Sequence, residues 1–234
     1  MRVSRRVFLA LAGTAAAGSR IGADGQLTGV LAPGRHALDL DRGRDGVLLV
    51  PRGYSGTTPV PLIVMLHGAG GSGAGVTGRF PFVEDTGAVV LAPDSRDERT
   101  WDVILGAFGP DVEFIAAALA HTRKVCNIDP RRVTLAGFSD GASYALSFGI
   151  ATGDTFGRLI AFSPGVMQPQ RAQGKPPIFI SHGTTDRVIP IDLSSRVFVP
   201  RLQKLGYDVT YREFAGGHTV PEAIAREAFA WALA

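Results

Sequence analysis

Short apolar segments recur along the chain, and each ends at Gly, Pro, Asp or His. They are nearly all apolar and rich in β-branched residues, a pattern typical of strands buried on both faces of a parallel sheet. The predicted strands are residues 47–50, 62–66, 89–92, 133–136, 159–162, 178–180 and 209–214. Residues 30–50 favour one or two extra strands before this series, as an antiparallel edge.

Helical patterns lie between these strands, at roughly 111–125, 139–151, 193–205 and 221–232. In the first, Val112, Ile115 and Leu119 form part of an apolar stripe, and Asn127 and Pro130 end it. Strands that alternate with helices predict a three-layer α/β fold with a mostly parallel central sheet and helices on both faces. The segment 164–176 is polar and too short for a helical cap domain.

Composition limits the class of protein. The chain has 234 residues, of which 45% are hydrophobic and 19% charged, enough for one domain with a large core. A single cysteine, Cys126, excludes an internal disulfide and a cysteine-based zinc site. The sequence has no apolar run of 18 residues, so no spanning helix is predicted.

The N-terminus has the pattern of an export signal. Ser4-Arg5-Arg6-Val7-Phe8-Leu9 precedes a weakly hydrophobic run of small residues, and this order resembles a twin-arginine signal. We therefore expect residues 1–23 to engage the twin-arginine export machinery and residues 24–234 to form one domain in the periplasm or outside the cell. Cleavage could follow Ala17 or Ala23.

The positive charge of the chain belongs largely to this segment. The formal net charge is +3, and it falls to zero without residues 1–17 and to −1 without residues 1–23. A mature protein without excess positive charge gives no reason to expect nucleic acid or an anionic membrane as a partner. No lipid-anchoring cysteine lies at either cleavage point.

The most informative motif is Gly137-Phe138-Ser139-Asp140-Gly141, a G-x-S-x-G sequence between a predicted strand and a predicted helix. In that context the serine lies on a sharp strand-to-helix turn, with its hydroxyl exposed above the sheet and its backbone strained. The N–H of Asp140 at the helix start can hold an oxyanion. The alternative is that Ser139 only caps the helix.

A serine hydroxyl needs a base to become a nucleophile, and the expected chain order is serine, acid, histidine. His218, in a Gly-Gly-His-Thr loop after the last strand, fits the base. His36 and His121 are expected to be surface or packing residues, and His67 a loop-stabilising one.

The acid should follow a strand between Ser139 and His218. Asp186, after the strand at 178–180, has that position and would hold the imidazole in the required tautomer. Asp154, Asp192 and Asp208 are rival candidates.

A second oxyanion donor is expected from the loop His67-Gly68-Ala69-Gly70-Gly71-Ser72-Gly73, which follows an early strand. Ala69 N–H is the preferred donor and Gly70 the alternative. The loop lacks a Gly-Lys-Ser/Thr sequence, so a nucleotide-phosphate site is not expected.

These blocks resemble the α/β-hydrolase superfamily over residues 30–234. The chain looks most like the phospholipase/carboxylesterase group, close to polyhydroxyalkanoate depolymerases and feruloyl esterases. Four motifs carry the resemblance: Leu-His-Gly-Ala-Gly-Gly, Gly-Phe-Ser-Asp-Gly, Ser-His-Gly-Thr-Thr-Asp and Gly-Gly-His-Thr. Asp140 replaces the group's usual Gln, and its carboxylate would disfavour anionic substrates. The resemblance implies that Trp101 lies beside the pocket, with an ordinary half-buried loop aromatic as the alternative. We also expect Gly70, Phe138 and Val188 to contact substrate.

The sequence thus predicts a serine carboxylic-ester hydrolase that works through an acyl-enzyme and needs no metal or cofactor. Without a cap, an open cleft would suit short or medium acyl esters. Alternatives are an extracellular polyester depolymerase, a feruloyl esterase, or a non-catalytic binding protein on the same scaffold.

Overall fold

A computed structural model describes residues 30–234. The predicted export signal, residues 1–23, lies outside the described residues. The strands are β1 (Gly34–Ala37), β2 (Gly46–Val50), β3 (Val60–Leu66), β4 (Val89–Pro93), β5 (Ile128–Phe138), β6 (Arg158–Phe162), β7 (Ile178–Gly183) and β8 (Val209–Phe214). The helices are α1 (Gly73–Arg79), α2 (Pro110–Val125), α3 (Asp140–Ala151), α4 (Ser195–Lys204) and α5 (Glu222–Leu233), with 3₁₀ helices at Pro81–Asp85, Asp102–Leu105 and Ile191–Leu193.

All eight strands form one sheet, in the order β1-β2-β4-β3-β5-β6-β7-β8. Neighbouring strands are parallel within the part of the sheet β4-β3-β5-β6-β7-β8. Strands β1 and β2 add an antiparallel edge, which joins the rest of the sheet through the pairing of β2 with β4. The structure confirms the α/β prediction, including the extra strands within residues 30–50. Parallel pairing places the carboxyl ends of β3, β5, β6, β7 and β8 along one edge of the sheet.

The core has two layers because strand residues alternate between the two faces of the sheet. In β3, Leu62, Val64 and Leu66 face one apolar layer, while Ile63 and Met65 face the other. The first layer contains buried side chains of α2, α3 and α4, and the second those of α1 and α5. A strand covered on both faces needs apolar residues at nearly every position, which explains the unbroken apolar runs.

Helix α1 was not predicted. Its sequence, Gly-Ala-Gly-Val-Thr-Gly-Arg, is poor in helix formers and gives the pattern of a loop. The hydroxyl of Ser72 stabilises its first turn by accepting a hydrogen bond from Gly75 N–H at 3.1 Å. Burial of Val76 in the second core layer then holds this short helix against the sheet.

No helix among residues 30–234 is long and apolar enough to cross a membrane.

Candidate active site

The nucleophile candidate lies on a strained turn between β5 and α3. Ser139 has φ 57° and ψ −117°, a backbone conformation that a non-glycine residue adopts only at a cost of about 1–3 kcal/mol. The turn is tight on both sides: a Cβ at Gly137 would lie 2.2 Å from Gly141 O, and one at Gly141 would lie 2.4 Å from Leu66 O. Both glycines of the motif are therefore required by close backbone approach.

Ser139, His218 and Asp186 form a continuous hydrogen-bonded chain. The Oγ of Ser139 lies 2.9 Å from Nε2 of His218, and Nδ1 of the same ring lies 2.7 Å from Oδ2 of Asp186. These are hydrogen-bond distances for a nucleophile, a base and a group that orients the base. The structure thus brings together the three residues that chain order singled out.

The loop of His218 is fixed to the end of β7. Thr184 N–H donates to Phe214 O at 2.9 Å, and Thr185 N–H donates to Gly216 O at 3.0 Å. The ring of Phe138 then packs against the His218 imidazole, with ring centroids 4.8 Å apart. These contacts set the imidazole above the serine.

Both carboxylate oxygens of Asp186 are fully used. Oδ1 accepts hydrogen bonds from the N–H groups of Val188 and Ile189, each at 2.9 Å. Oδ2 faces Nδ1 of His218 at 2.7 Å and Nε2 of His182 at 3.2 Å. Burial alone would raise the pKa of this carboxyl, but the hydrogen bonds from Ile189 and His218 outweigh it and lower the pKa below its ordinary value.

His182 is a second histidine at the acid that the sequence analysis did not assign. Its Nε2 also lies 2.9 Å from Ile189 O, which can only accept, so Nε2 carries the proton. Nδ1 therefore accepts from the hydroxyl of Ser195, at 2.7 Å. Burial lowers the pKa of His182, consistent with a neutral ring. Its place four residues before Asp186 was visible in the sequence, but its partner Ser195 was not.

The rival acids have other partners. Asp154 accepts a hydrogen bond from Gln173, and Asp192 pairs with Arg196 at 2.8 Å. The structure places neither of them at the His218 imidazole.

Two backbone N–H groups beside Ser139 are available for an oxyanion. Those of Ala69 and Asp140 make no hydrogen bond within residues 30–234. Asp140 is the first residue of α3, where N–H groups lack an intrahelical partner. The loop that carries Ala69 approaches the nucleophile so closely that a Cβ at Gly68 would lie 3.3 Å from Ser139 Cβ.

Gly70, the alternative donor, is excluded because its N–H is already bonded to Arg99 O at 2.7 Å. It is also absent from the lining of the cleft at Ser139, which includes its neighbours Ala69 and Gly71, so its role as a substrate contact stays a prediction. Its φ of +64° instead turns the loop. Its partner Arg99 lies in a separate loop, and the sequence could not indicate this contact.

Trp101 was expected at the pocket, and the structure corrects that expectation. The side chain is fully buried, its Nε1–H donates to His67 O at 2.8 Å, and its ring packs against Tyr144 at 5.2 Å. Trp101 is in neither cavity beside Ser139. Through its hydrogen bond to His67 O, Trp101 stabilises the loop that carries Ala69.

His67 and Arg44 hold the same loop. His67 Nε2 accepts from Ser95 N–H at 3.0 Å, so Nδ1 carries the proton toward Gly68 O, 2.8 Å away. Burial lowers the pKa of His67. Arg44 donates to Gly71 O at 2.7 Å and to Ser95 O at 2.6 Å. His67 was expected to stabilise this loop, whereas nothing in the sequence indicated Arg44.

Two cavities lie beside the nucleophile turn: Ser139 itself lines the first, and its neighbour Asp140 lines the second. The first, of about 360 Å³, contains His218, Ala69, Phe138, Val188 and Arg79 in its lining. The second, of about 320 Å³, is largely apolar. Its lining includes Asp140 together with Ile104, Val166, Val188, Ile189 and Leu193. Phe138 and Val188 therefore lie where substrate contacts were expected.

The carboxylate of Asp140 is held by Thr100, whose Oγ1 donates to Oδ2 at 2.5 Å. Within residues 30–234, no group of three or more His, Cys, Asp or Glu side chains could hold a metal ion.

Comparisons with known proteins identify the family and the fold. Residues 104–228, more than half of the chain, match the family described as Phospholipase/Carboxylesterase. The structure is similar to the crystal structure of esterase PE8, with a TM-score of 0.66 and 26% identity over 80% of this chain and 96% of that one.

Two curated relatives match shorter stretches. Acyl-protein thioesterase 1 of Gibberella zeae is 30% identical over 108 residues, 42% of this chain and 46% of that protein. The bifunctional acetylxylan esterase/xylanase XynS20E of Neocallimastix patriciarum is 32% identical over 111 residues, 45% of this chain and 16% of that protein. The matches thus cover less than half of each relative. The chain nevertheless belongs to the phospholipase/carboxylesterase family and has the α/β-hydrolase fold.

Proposed function

We propose that this protein hydrolyses carboxylic esters through an acyl-enzyme formed on Ser139. The observation that carries the proposal is the hydrogen-bonded chain from Ser139 Oγ through His218 to Asp186, at 2.9 and 2.7 Å. His218 Nε2 takes the hydroxyl proton as Oγ attacks the ester carbonyl carbon. The buried Asp186 carboxylate stabilises the imidazolium that results.

The carbonyl oxygen becomes an oxyanion during this attack. The unpaired N–H groups of Ala69 and Asp140 are its donors, and each such donor is typically worth about 3 kcal/mol in the transition state. Collapse of the tetrahedral intermediate breaks the ester C–O bond, and His218 gives its proton to the leaving oxygen. Water then attacks the acyl-enzyme with His218 as base, which releases the acid and restores Ser139.

The substrate class follows from the shape of the cleft. Apolar side chains line the cavity of about 320 Å³ beside Ser139, and Val188 and Leu193 at its rim are 68% and 76% exposed. Residues 163–177, which connect β6 to β7, contain no helix that could form a cap. An uncovered apolar cavity of this size suits short or medium acyl groups.

A second candidate is an ester carried on a polymer, such as a polyester or a feruloylated or acetylated plant-wall polysaccharide. The open rim supports it, since a chain end could reach Ser139 without a lid movement. The likeness to a protein named as an acetylxylan esterase supports it as well. Thioesters are a further class, to which the likeness to an acyl-protein thioesterase points.

The location in this proposal is outside the cytoplasm, by twin-arginine export through residues 1–23. The support is the Ser4-Arg5-Arg6 pattern and the small apolar residues after it. Full-length protein should fractionate with the exported material of a host that has this pathway, and the double variant Arg5→Lys, Arg6→Lys should stay in the cytoplasm. Equal distribution of both proteins would refute export by this route.

The activity is tested with p-nitrophenyl esters from acetate to palmitate, with Ser139→Ala in parallel. We expect the rate to peak at short or medium chains and to vanish in the variant. A fluorophosphonate probe should label the wild type and not Ser139→Ala. Labelling without turnover would direct the search to polymer esters and thioesters, whereas failure of both assays would favour the non-catalytic alternative.

A further inference from the structure

The two cavities beside Ser139 are not equivalent with respect to the base. His218 lines only the cavity that also contains Ala69 and Arg79, and it is absent from the apolar cavity of Asp140 and Leu193. In the proposed reaction His218 must protonate the leaving oxygen, so the alcohol half of the ester lies on the His218 side. The acyl half then occupies the apolar cavity. This assignment rests on the proposed function.

Arg79 places a positive charge in the alcohol-side cavity. It belongs to α1, and its guanidinium lies 5.1 Å from the centroid of the Phe138 ring. The same ring packs against the His218 imidazole at 4.8 Å. A guanidinium is attracted to the face of an aromatic ring, and this contact holds the cation on the side of the cleft where the leaving group departs.

The charge of Arg79 is not neutralised by the protein. Within residues 30–234 it forms no ion pair, in contrast to six other arginines that pair with carboxylates: Arg96, Arg99, Arg131, Arg196, Arg212 and Arg226. The two histidines in the same lining do not compensate it, because neither can carry negative charge. An unpaired guanidinium lining a ligand cavity is free to bind an anionic group of the ligand.

The acyl side differs in charge, since its lining includes Asp140, an acidic residue, and no cationic residue. We propose that Arg79 is a specificity-determining residue that favours esters with an anionic group, such as a carboxylate or a phosphate, on the alcohol half. The sequence-based expectation that Asp140 disfavours anionic substrates then applies to the acid half of the ester only.

The test compares two esters that differ in charge on the alcohol half: 4-acetoxybenzoate and its methyl ester. The measured quantity is the ratio of kcat/KM for the anionic ester to kcat/KM for the neutral one. Comparison of this ratio between proteins cancels the different chemical reactivity of the two esters. Because Arg79 is solvent-exposed, the expected effect is moderate: Arg79→Gln should lower the ratio about three- to ten-fold.

Two further variants sharpen the result. Arg79→Lys keeps the charge and should retain part of the preference. Arg226→Gln is the matched control, because the Arg226 guanidinium also lies over a phenyl ring, Phe82 at 4.4 Å, yet lines a cavity that contains none of Ser139, His218 and Asp186. The control should leave the ratio unchanged. Added salt should reduce the preference in the wild type.

The proposal would be overturned if Arg79→Gln and the wild type gave the same ratio while the wild type hydrolysed the neutral ester. In that case the serine hydrolase mechanism would stand and only the role of Arg79 would fall. Failure of the wild type on both esters, together with no fluorophosphonate labelling, would remove the proposed function and this inference with it.

Discussion

Replacement of Asp186 by asparagine should damage both activity and stability, for one geometric reason. The carboxylate accepts from two N–H groups at Oδ1, those of Val188 and Ile189, and faces two ring nitrogens at Oδ2, of His218 and His182. An amide has one accepting oxygen and one donating nitrogen. Whichever way the asparagine turns, its NH₂ group meets two donors.

The size of the effect follows from these contacts. His182 Nε2–H keeps Ile189 O as an acceptor, so the less costly orientation leaves one buried donor, Nδ1–H of His218, without an acceptor. An orphaned buried donor costs about 1–3 kcal/mol, and Asp186→Asn should lose about that much unfolding free energy. An oriented imidazole with a carboxylate partner typically contributes about 10⁴ to turnover, so kcat/KM should fall about 10³- to 10⁴-fold.

The assays are urea unfolding at pH 7 and hydrolysis of a p-nitrophenyl ester. Asp192→Asn is the matched control, because Asp192 is an exposed rival acid whose partner is Arg196, and it should change the unfolding free energy by less than about 1 kcal/mol. Asp186→Asn with wild-type stability would refute the four-contact argument. A loss of activity smaller than ten-fold would refute the assignment of Asp186 as the acid.

Three further substitutions test other parts of the structure. Burial and the neighbouring charge of Asp111 raise the pKa of Asp102 from 3.8 to about 7, so the folded state binds this proton more tightly than the unfolded chain does. The associated stability is fully present below about pH 4 and is lost as the pH rises to about 7, a change of about 4 kcal/mol at 1.36 kcal/mol per pKa unit. Asp102→Asn should remove this loss, so in urea unfolding the free energy of the variant relative to that of the wild type should be higher at pH 8 than at pH 4. Parallel pH dependences of the two proteins would contradict this prediction. Gly141→Ala places a Cβ 2.4 Å from a backbone carbonyl oxygen of β3, so thermal melts should show severe destabilisation or failure to fold, and a normal melt would disprove the close approach. Trp101→Phe removes the hydrogen bond to His67 O and should cost about 1 kcal/mol in unfolding free energy with little change in KM; a large increase in KM would instead place Trp101 in the pocket.

The main strands, the four predicted helices and the order of Ser139, Asp186 and His218 could be predicted from the sequence because each depends on local information. A strand covered on both faces needs an unbroken apolar run, and each of these three residues follows the end of a strand. Parallel strands bring their carboxyl ends together whatever the details of packing.

The errors concern contacts between segments far apart in the chain. Gly70 donates to Arg99 O, and Trp101 donates to His67 O. No local sequence pattern indicates either hydrogen bond. Arg44 donates to Gly71 O of the oxyanion loop from a distant part of the chain, and the sequence around Arg44 does not indicate this contact either. Helix α1 was missed because tertiary burial of Val76 overrides a glycine-rich sequence of low helix propensity.

The two cavities beside Ser139 have only Val188 in common among their lining residues. Substitutions at separate sites without shared partners usually have additive free-energy effects. A substitution in one cavity, at Arg79 for example, should therefore hardly change the free energy that residues of the other cavity, such as Leu193, contribute to substrate binding. Evolution or laboratory selection can then alter the preference for the acid and the preference for the alcohol one at a time, with few compensating changes.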